Sequence, residues 1–171
     1  MSALQTLADL LAPWQSAYSK SKTLSAGVTF VHLASLLFGG GLAVAADRAT
    51  LRASKLAADA RRRLLDELDQ VHRPVMIALA GSFVSGALLA TADIQTFWTS
   101  PIYWTKMGLV LALIVNGAVL RSAERGARAA MDVNDDATQG KLWTRLRVMA
   151  WVSIVLWTSV VLAGTVLVGA A

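Results

Sequence analysis

The sequence predicts an all-α fold: an antiparallel four-helix transmembrane bundle, preceded by an N-terminal amphipathic helix at the membrane interface. Three observations lead there. Apolar residues make up 56% of the 171 residues, and mean hydropathy is +0.54, above the usage of soluble domains. A chain of this size has more apolar surface than one core hides, so part of its solvent is lipid. Four apolar stretches are each long enough, at about 1.5 Å per residue, to cross roughly 30 Å of hydrocarbon. Between them lie two segments that hold most of the basic residues. The expected layout is a single integral membrane domain over 1–171. Its spans are at about 22–46, 71–92, 101–120 and 147–169, with cytoplasmic segments at 47–70 and 121–146.

Residues 2–12, SALQTLADLLA, place Leu4, Leu7, Ala8 and Leu11 on one helical face. Ser2 serves as N-cap and Pro13 as the stop. This helix is too short to span and reads as interfacial, with Trp14 and Tyr18 at the headgroup level. The basic-then-apolar-then-small pattern of a cleaved leader is missing, so Met1 onward is expected to be mature.

The first span, KTLSAGVTFVHLASLLFGGGLAVAA, contains no acidic residue. Ser25, Thr29, His32, Ser35 and Gly39 recur at steps of four, three, three and four, which puts them on one face. The charged segment after it keeps helical spacing in Leu51, Leu56, Leu64, Leu65 and Leu68, so it is expected to leave the membrane as a helix and fold back. In the second span, Gly81/Ser85, Ser82/Gly86 and Gly86/Ala90 are small-xxx-small pairs that allow close backbone approach in lipid. A connector from Asp93 leads to Ser100-Pro101, an N-cap followed by proline at the first helical position. Tyr103, Trp104 and Lys106 then form an interface belt with a snorkelling lysine. Asp93 and Lys106, at the outer ends of consecutive spans, can pair there. In the second charged segment, Asp132, Asn134 and Asp136 mimic the start of a calcium loop. The pattern fails because Ala137 stands where glycine is needed and Trp143 where a bidentate glutamate is needed. The fourth span carries Trp151 and Trp157.

Segments 47–73 and 121–147 hold thirteen of the sixteen lysines and arginines; only Lys20, Lys22 and Lys106 lie elsewhere. By the positive-inside rule, both segments face the cytoplasm and both termini lie on the other side of the inner membrane. The same bias accounts for the net charge of +5 without a nucleic-acid partner. Anionic lipid headgroups are the expected partner of these arginines.

The absence of cysteine excludes disulfides, thiolate metal sites and iron–sulfur clusters. No nucleophile triad, zinc-type histidine spacing or phosphate loop is present, so no catalytic residue is assigned. His32 is the most informative position, because an ionisable group at mid-bilayer is costly and marks a functional candidate. Two readings stand: a ligand to haem b or a metal such as copper, or a group near a quinone; against these, a neutral imidazole bonded to a Ser or Thr of a neighbouring helix. His72 lies roughly 20 Å deeper along the membrane normal, so the two histidines do not sandwich one haem. Asn116, inward of the midplane, is read as an interhelical hydrogen-bond residue or a further cofactor contact. The glycine run at 39–41 serves close packing, a bend or a flat ligand.

VHLASLLFGGGLAVAADRATLR resembles the His-then-glycine first helix of small bacterial four-helix membrane proteins akin to the copper-resistance D and cytochrome b561-like families. VHRPVMIALAGSFVSGALLATADIQTFWTSPIYWTKMGLVLALIVNG resembles their second and third helices. Over residues 28–120 the resemblance implies metal or electron handling in the cytoplasmic membrane, with His32 and then Lys106 carried over as site residues. The chain departs from the haem-binding members in lacking their depth-matched histidines. Two functions are therefore expected. One is a non-enzymatic subunit or accessory protein of a larger membrane complex, or a homodimer. The other is a redox or metal-binding protein centred on His32, with haem b, copper or quinone.

Overall fold

A computed structural model describes residues 3–53, 56–133 and 135–170. The expected cap Ser2, the basic Lys55 and Asn134 of the calcium-like stretch lie outside the described residues, as does the side chain of Leu4. Among the described residues there is no strand, and six helices follow one another: α1 (Ala3–Lys20), α2 (Lys22–Arg52), α3 (Ala58–Ala92), α4 (Ile94–Thr99), α5 (Pro101–Asp132) and α6 (Asp136–Ala170). Of these, α2, α3, α5 and α6 are long and apolar enough to cross a membrane.

The four long helices have 31, 35, 32 and 35 residues. That is about 46–52 Å at the helical rise, well beyond the roughly 30 Å of a hydrocarbon core. Each helix therefore continues past its apolar stretch. The charged segments are the far ends of the same helices: α2 ends at Arg52 and α3 begins at Ala58, and α5 ends at Asp132 and α6 begins at Asp136.

Packing inverts along these helices. At the charged ends, Ala53, the C-cap of α2, joins Leu64, Leu65, Leu68, Ala123, Ala127, Met131, Trp143 and Leu146 of α3, α5 and α6 in a buried apolar core. This is the packing expected in water, where apolar burial drives association. Along the apolar stretches many large side chains point outward instead: Phe30, Phe38, Ile77, Phe83, Leu111, Val155 and Leu162 are exposed. Small and polar residues take much of the inside there, with Gly39, Ser82, Ser85, Asn116 and Ser153 buried beside Leu113, Trp157 and Val160. Lipid makes an outward apolar face cost nothing, and close approach of backbones becomes the gain.

The closest pairings are α2 with α3 and α5 with α6, and α2 also packs on α6; α3 meets α5 over a much shorter stretch. Across the α2–α3 contact, Gly39 lies against Ala78, Ser35 against Gly81, and His32 against Gly86. Glycine is required here: a Cβ on Gly39 would stand 2.9 Å from the Cβ of Ala78.

Pro13 does not stop the first helix. It lies inside α1, which runs on to Lys20. Proline removes one backbone bond at that point, and outside contacts hold the helix beyond it. The indole Nε1 of Trp14 donates to the Leu88 carbonyl at 3.2 Å, and Gln15 Nε2 donates to the Thr91 carbonyl at 3.2 Å. The side of α1 turned inward is Ala8, Leu11, Trp14, Gln15 and Tyr18, while Leu7 is exposed. The connector after Asp93 is the short helix α4, capped by Asp93, whose Oδ1 accepts from the Thr96 amide. Ser100 caps α5 through the Tyr103 amide, with Pro101 at the first position as the sequence predicts.

Candidate functional site

His32 sits a third of the way along α2, facing α3 where that helix carries Ser82, Ser85 and Gly86. Its Nδ1 lies 3.1 Å from the Ser82 carbonyl oxygen and 3.1 Å from Ser85 Oγ. The Ser85 hydroxyl donates to the Gly81 carbonyl at 2.6 Å within α3. A carbonyl only accepts, and the serine proton is already engaged, so the proton lies on Nδ1 and the ring donates to both oxygens. Gly86 makes room for the ring: a Cβ there would stand 3.1 Å from Cε1. That tautomer leaves the Nε2 lone pair free of any hydrogen bond among the described residues.

Lys106 belongs to the same region. It is half-buried, and its Nζ would lie 3.4 Å from a Cβ placed on Gly164 of α6. Gly164 thus leaves a notch that receives the ammonium. Instead of pairing with Asp93, which caps α4, Lys106 is turned inward and is the charged group acting on His32. The snorkelling placement read from the sequence gives way to this one because α6 offers a glycine at that level.

Asn116 is buried on α5 and donates from Nδ2 to the Met149 carbonyl of α6 at 3.2 Å. It is an interhelical bond, remote in sequence from the His32 contacts. His72 is ten positions before Ser82 on α3, about 15 Å along the axis, and its charged neighbours are Arg121, Asp69 and Arg125. His32 and His72 are not brought together. Among the described residues, no group of three or more His, Cys, Asp or Glu side chains is placed to hold a metal ion. One chain therefore offers a metal or haem a single imidazole nitrogen, with no second histidine at its depth.

Two features carry little sequence signal. Trp157 of α6 is buried against the glycine run of α2: Cβ atoms on Gly39 and Gly40 would stand 3.8 and 3.1 Å from its indole. The flat occupant of the glycines is thus the chain's own tryptophan, while Gly41 faces open space. Toward the charged ends, Asp47 is only 2% exposed and stands beside Ser153 of α6, with its Oδ2 lacking a hydrogen-bond partner among the described residues. Glu124 of α5 stands near it, among Asp69, Arg121 and Arg128. A charge pattern alone marks Asp47 as the first residue of a solvated segment; only the fit of α2 on α6 turns it inward.

No protein-family model, curated protein or solved structure matches this chain.

Proposed function

We propose that this chain is a non-enzymatic integral membrane protein of the cytoplasmic membrane, a subunit or accessory of a larger membrane complex. In this reading α2, α3, α5 and α6 form an antiparallel transmembrane bundle. The basic ends lie in the cytoplasm against anionic headgroups, and both termini lie on the opposite side with α1 at the interface. The observation that supports it best is where the interior polar atoms are engaged. His32 is tied to Ser82 and Ser85, and Asn116 to Met149. Each joins one helix to its neighbour, and they do not converge on one reacting centre.

A partner helix is accommodated along α5, where Gly108 and Gly117 have no atom within 4 Å of a Cβ position, leaving room for close approach in lipid. The chain has no cysteine, so single-cysteine variants carry one defined label. A photo-crosslinker attached at Gly108→Cys in native membranes should give an adduct of discrete mass, and one at Phe38→Cys on α2 should not. Monomer alone from every α5 position contradicts a complex.

A second reading, a redox or metal-binding protein, is favoured by one specific observation: the fixed Nδ1–H of His32 leaves Nε2 as a ligand nitrogen. A backbone carbonyl commonly orients a ligating histidine in this way. Haem b, copper or a quinone is the class of group it would take, with Lys106 nearby and any second ligand supplied by another copy.

A further inference from the structure

Between α2 and α6, where the apolar stretches give way to charge, an open groove of about 470 Å³ is lined by Val44, Arg48, Leu51, Arg52, Trp151 and Ile154. We propose that this groove binds one anionic phospholipid, its phosphate on Arg48 and Arg52 and an acyl chain along the apolar wall. The inference rests on the membrane-spanning reading above and adds to it a discrete site with a stoichiometry.

Arg48 and Arg52 are one turn apart on the same face of α2 and both are exposed. Three other arginines of the charged ends are engaged: Arg62 pairs with Asp132 at 2.9 Å, Arg128 with Asp66, and Arg61 bonds the Ala53 carbonyl and lies over Trp143. Neither groove arginine forms an ion pair among the described residues. The nearest acid in sequence, Asp47, is turned inward and buried beside Ser153. The rim therefore presents two positive charges that repel each other and lack a carboxylate. A phosphate between them relieves that repulsion, and guanidinium forks match its oxygens.

Depth selects a lipid. Arg48 lies sixteen residues beyond His32 on α2, about 24 Å along the axis. His32 sits about 3 Å to the outer side of the centre of the 22–46 stretch, so Arg48 is about 21 Å from the midplane. That is the edge of the headgroup layer, which ends about 20–22 Å from the centre of a bilayer, and Arg52 is one turn further out. Helical side chains lean toward their own N-terminus, so both arginines lean back toward the membrane. Trp151 is exposed beside them, in the position an interfacial indole takes. Val44 and Ile154 continue the groove toward the lipid-facing surface, where an acyl chain lies.

The test is lipid retention by native mass spectrometry of the full chain in mild detergent. Phosphatidylglycerol is compared with phosphatidylcholine of the same chains. One phosphatidylglycerol should be held in preference. Each basic residue near an anionic surface contributes roughly five-fold, so the Arg48→Ala/Arg52→Ala double variant should bind about 30-fold more weakly. The exposed pair Arg63→Ala/Arg145→Ala should bind as the parent does. Equal retention of the two lipids, an unchanged double variant, or displacement of the lipid by inorganic phosphate overturns the site. Insertion of each variant into phosphatidylcholine vesicles is followed in parallel. Insertion without preference for the anionic lipid defeats the site alone, whereas failure of the parent chain to insert defeats the membrane-spanning reading beneath it.

Discussion

His32 on α2 and Ser82 on α3 are joined by a bond from the imidazole Nδ1–H to the Ser82 backbone oxygen, 3.1 Å long. Because that carbonyl belongs to the main chain, no substitution at position 82 removes the acceptor. The bond ties the most expensive side chain of the first apolar stretch to the backbone of its neighbour. It also holds the ring close to α3 at a position that Gly86 leaves open. Bonds of this kind contribute about 1 kcal/mol to helix association in lipid.

The glycines of α2 divide into Gly39 and Gly40, which set the helix spacing, and Gly27 and Gly41, which face open space. An alanine at Gly39 meets the Ala78 Cβ at 2.9 Å, and neither group can rotate away. Gly39→Ala should therefore push α2 from α3 and destabilise the protein by about 1–3 kcal/mol. Gly41→Ala meets nothing within 4 Å and should be neutral or stabilising, since alanine is the better helix former. Denaturant titration in detergent compares the two, and equal losses would show that the α2–α3 contact does not depend on the glycine.

At the charged ends, apolar burial and ion pairs make contributions of different size. Leu146 and Leu65 are 0% and 1% exposed in the core there, so truncation of either to alanine should cost about 2–5 kcal/mol. Arg62 and Asp132 are more than half exposed, at 53% and 57%, and Arg62→Ala should cost less than about 1 kcal/mol. Thermal unfolding of the three variants checks the order; a larger loss from Arg62→Ala would contradict the burial account.

Asp135 stands in the turn between α5 and α6, outside the apolar stretches. Hydrogen bonds with Thr138 hold its carboxyl below the usual range, and Oδ1 accepts the Thr138 amide at 3.0 Å. A depressed carboxylate stabilises the fold above its unfolded pKa, and the contribution is lost as pH falls through the folded value. Hydrogen exchange at the Thr138 amide should show protection that weakens on acidification relative to Asp135→Asn at the same pH. Parallel behaviour of the two proteins would remove Asp135 as the source.

Much of this was legible in the sequence. The apolar stretches, the Ser100-Pro101 helix start and the isolation of His32 from His72 follow from spacing and rise alone. Lys106, Asp47 and Trp157 were not legible, and for a common reason. Each takes its place from a residue on another helix: Gly164, Ser153 and the Gly39–Gly40 pair. In lipid, large apolar side chains can face outward, and α6 carries no charged residue on any side after Arg147, so the pattern that assigns inward faces in water is lost. Pro13 shows the same limit, because the helix beyond it is held by Leu88 and Thr91 of α3.

The sidedness drawn from the charge distribution predicts an inactive alkaline phosphatase when the reporter is fused after Arg63, and an active one when it is fused after Asp93. The reverse pattern would invert the protein in the membrane and place its arginines away from the cytoplasmic leaflet.

The role of His32 as a helix tie, as opposed to a cofactor ligand, is tested most directly by the visible absorption spectrum of the protein purified in detergent. A helix tie gives a colourless protein whose His32→Ala variant differs only in a stability loss of about 1 kcal/mol. A Soret or copper band in the purified protein that disappears in His32→Ala would contradict it and establish the cofactor reading in its place.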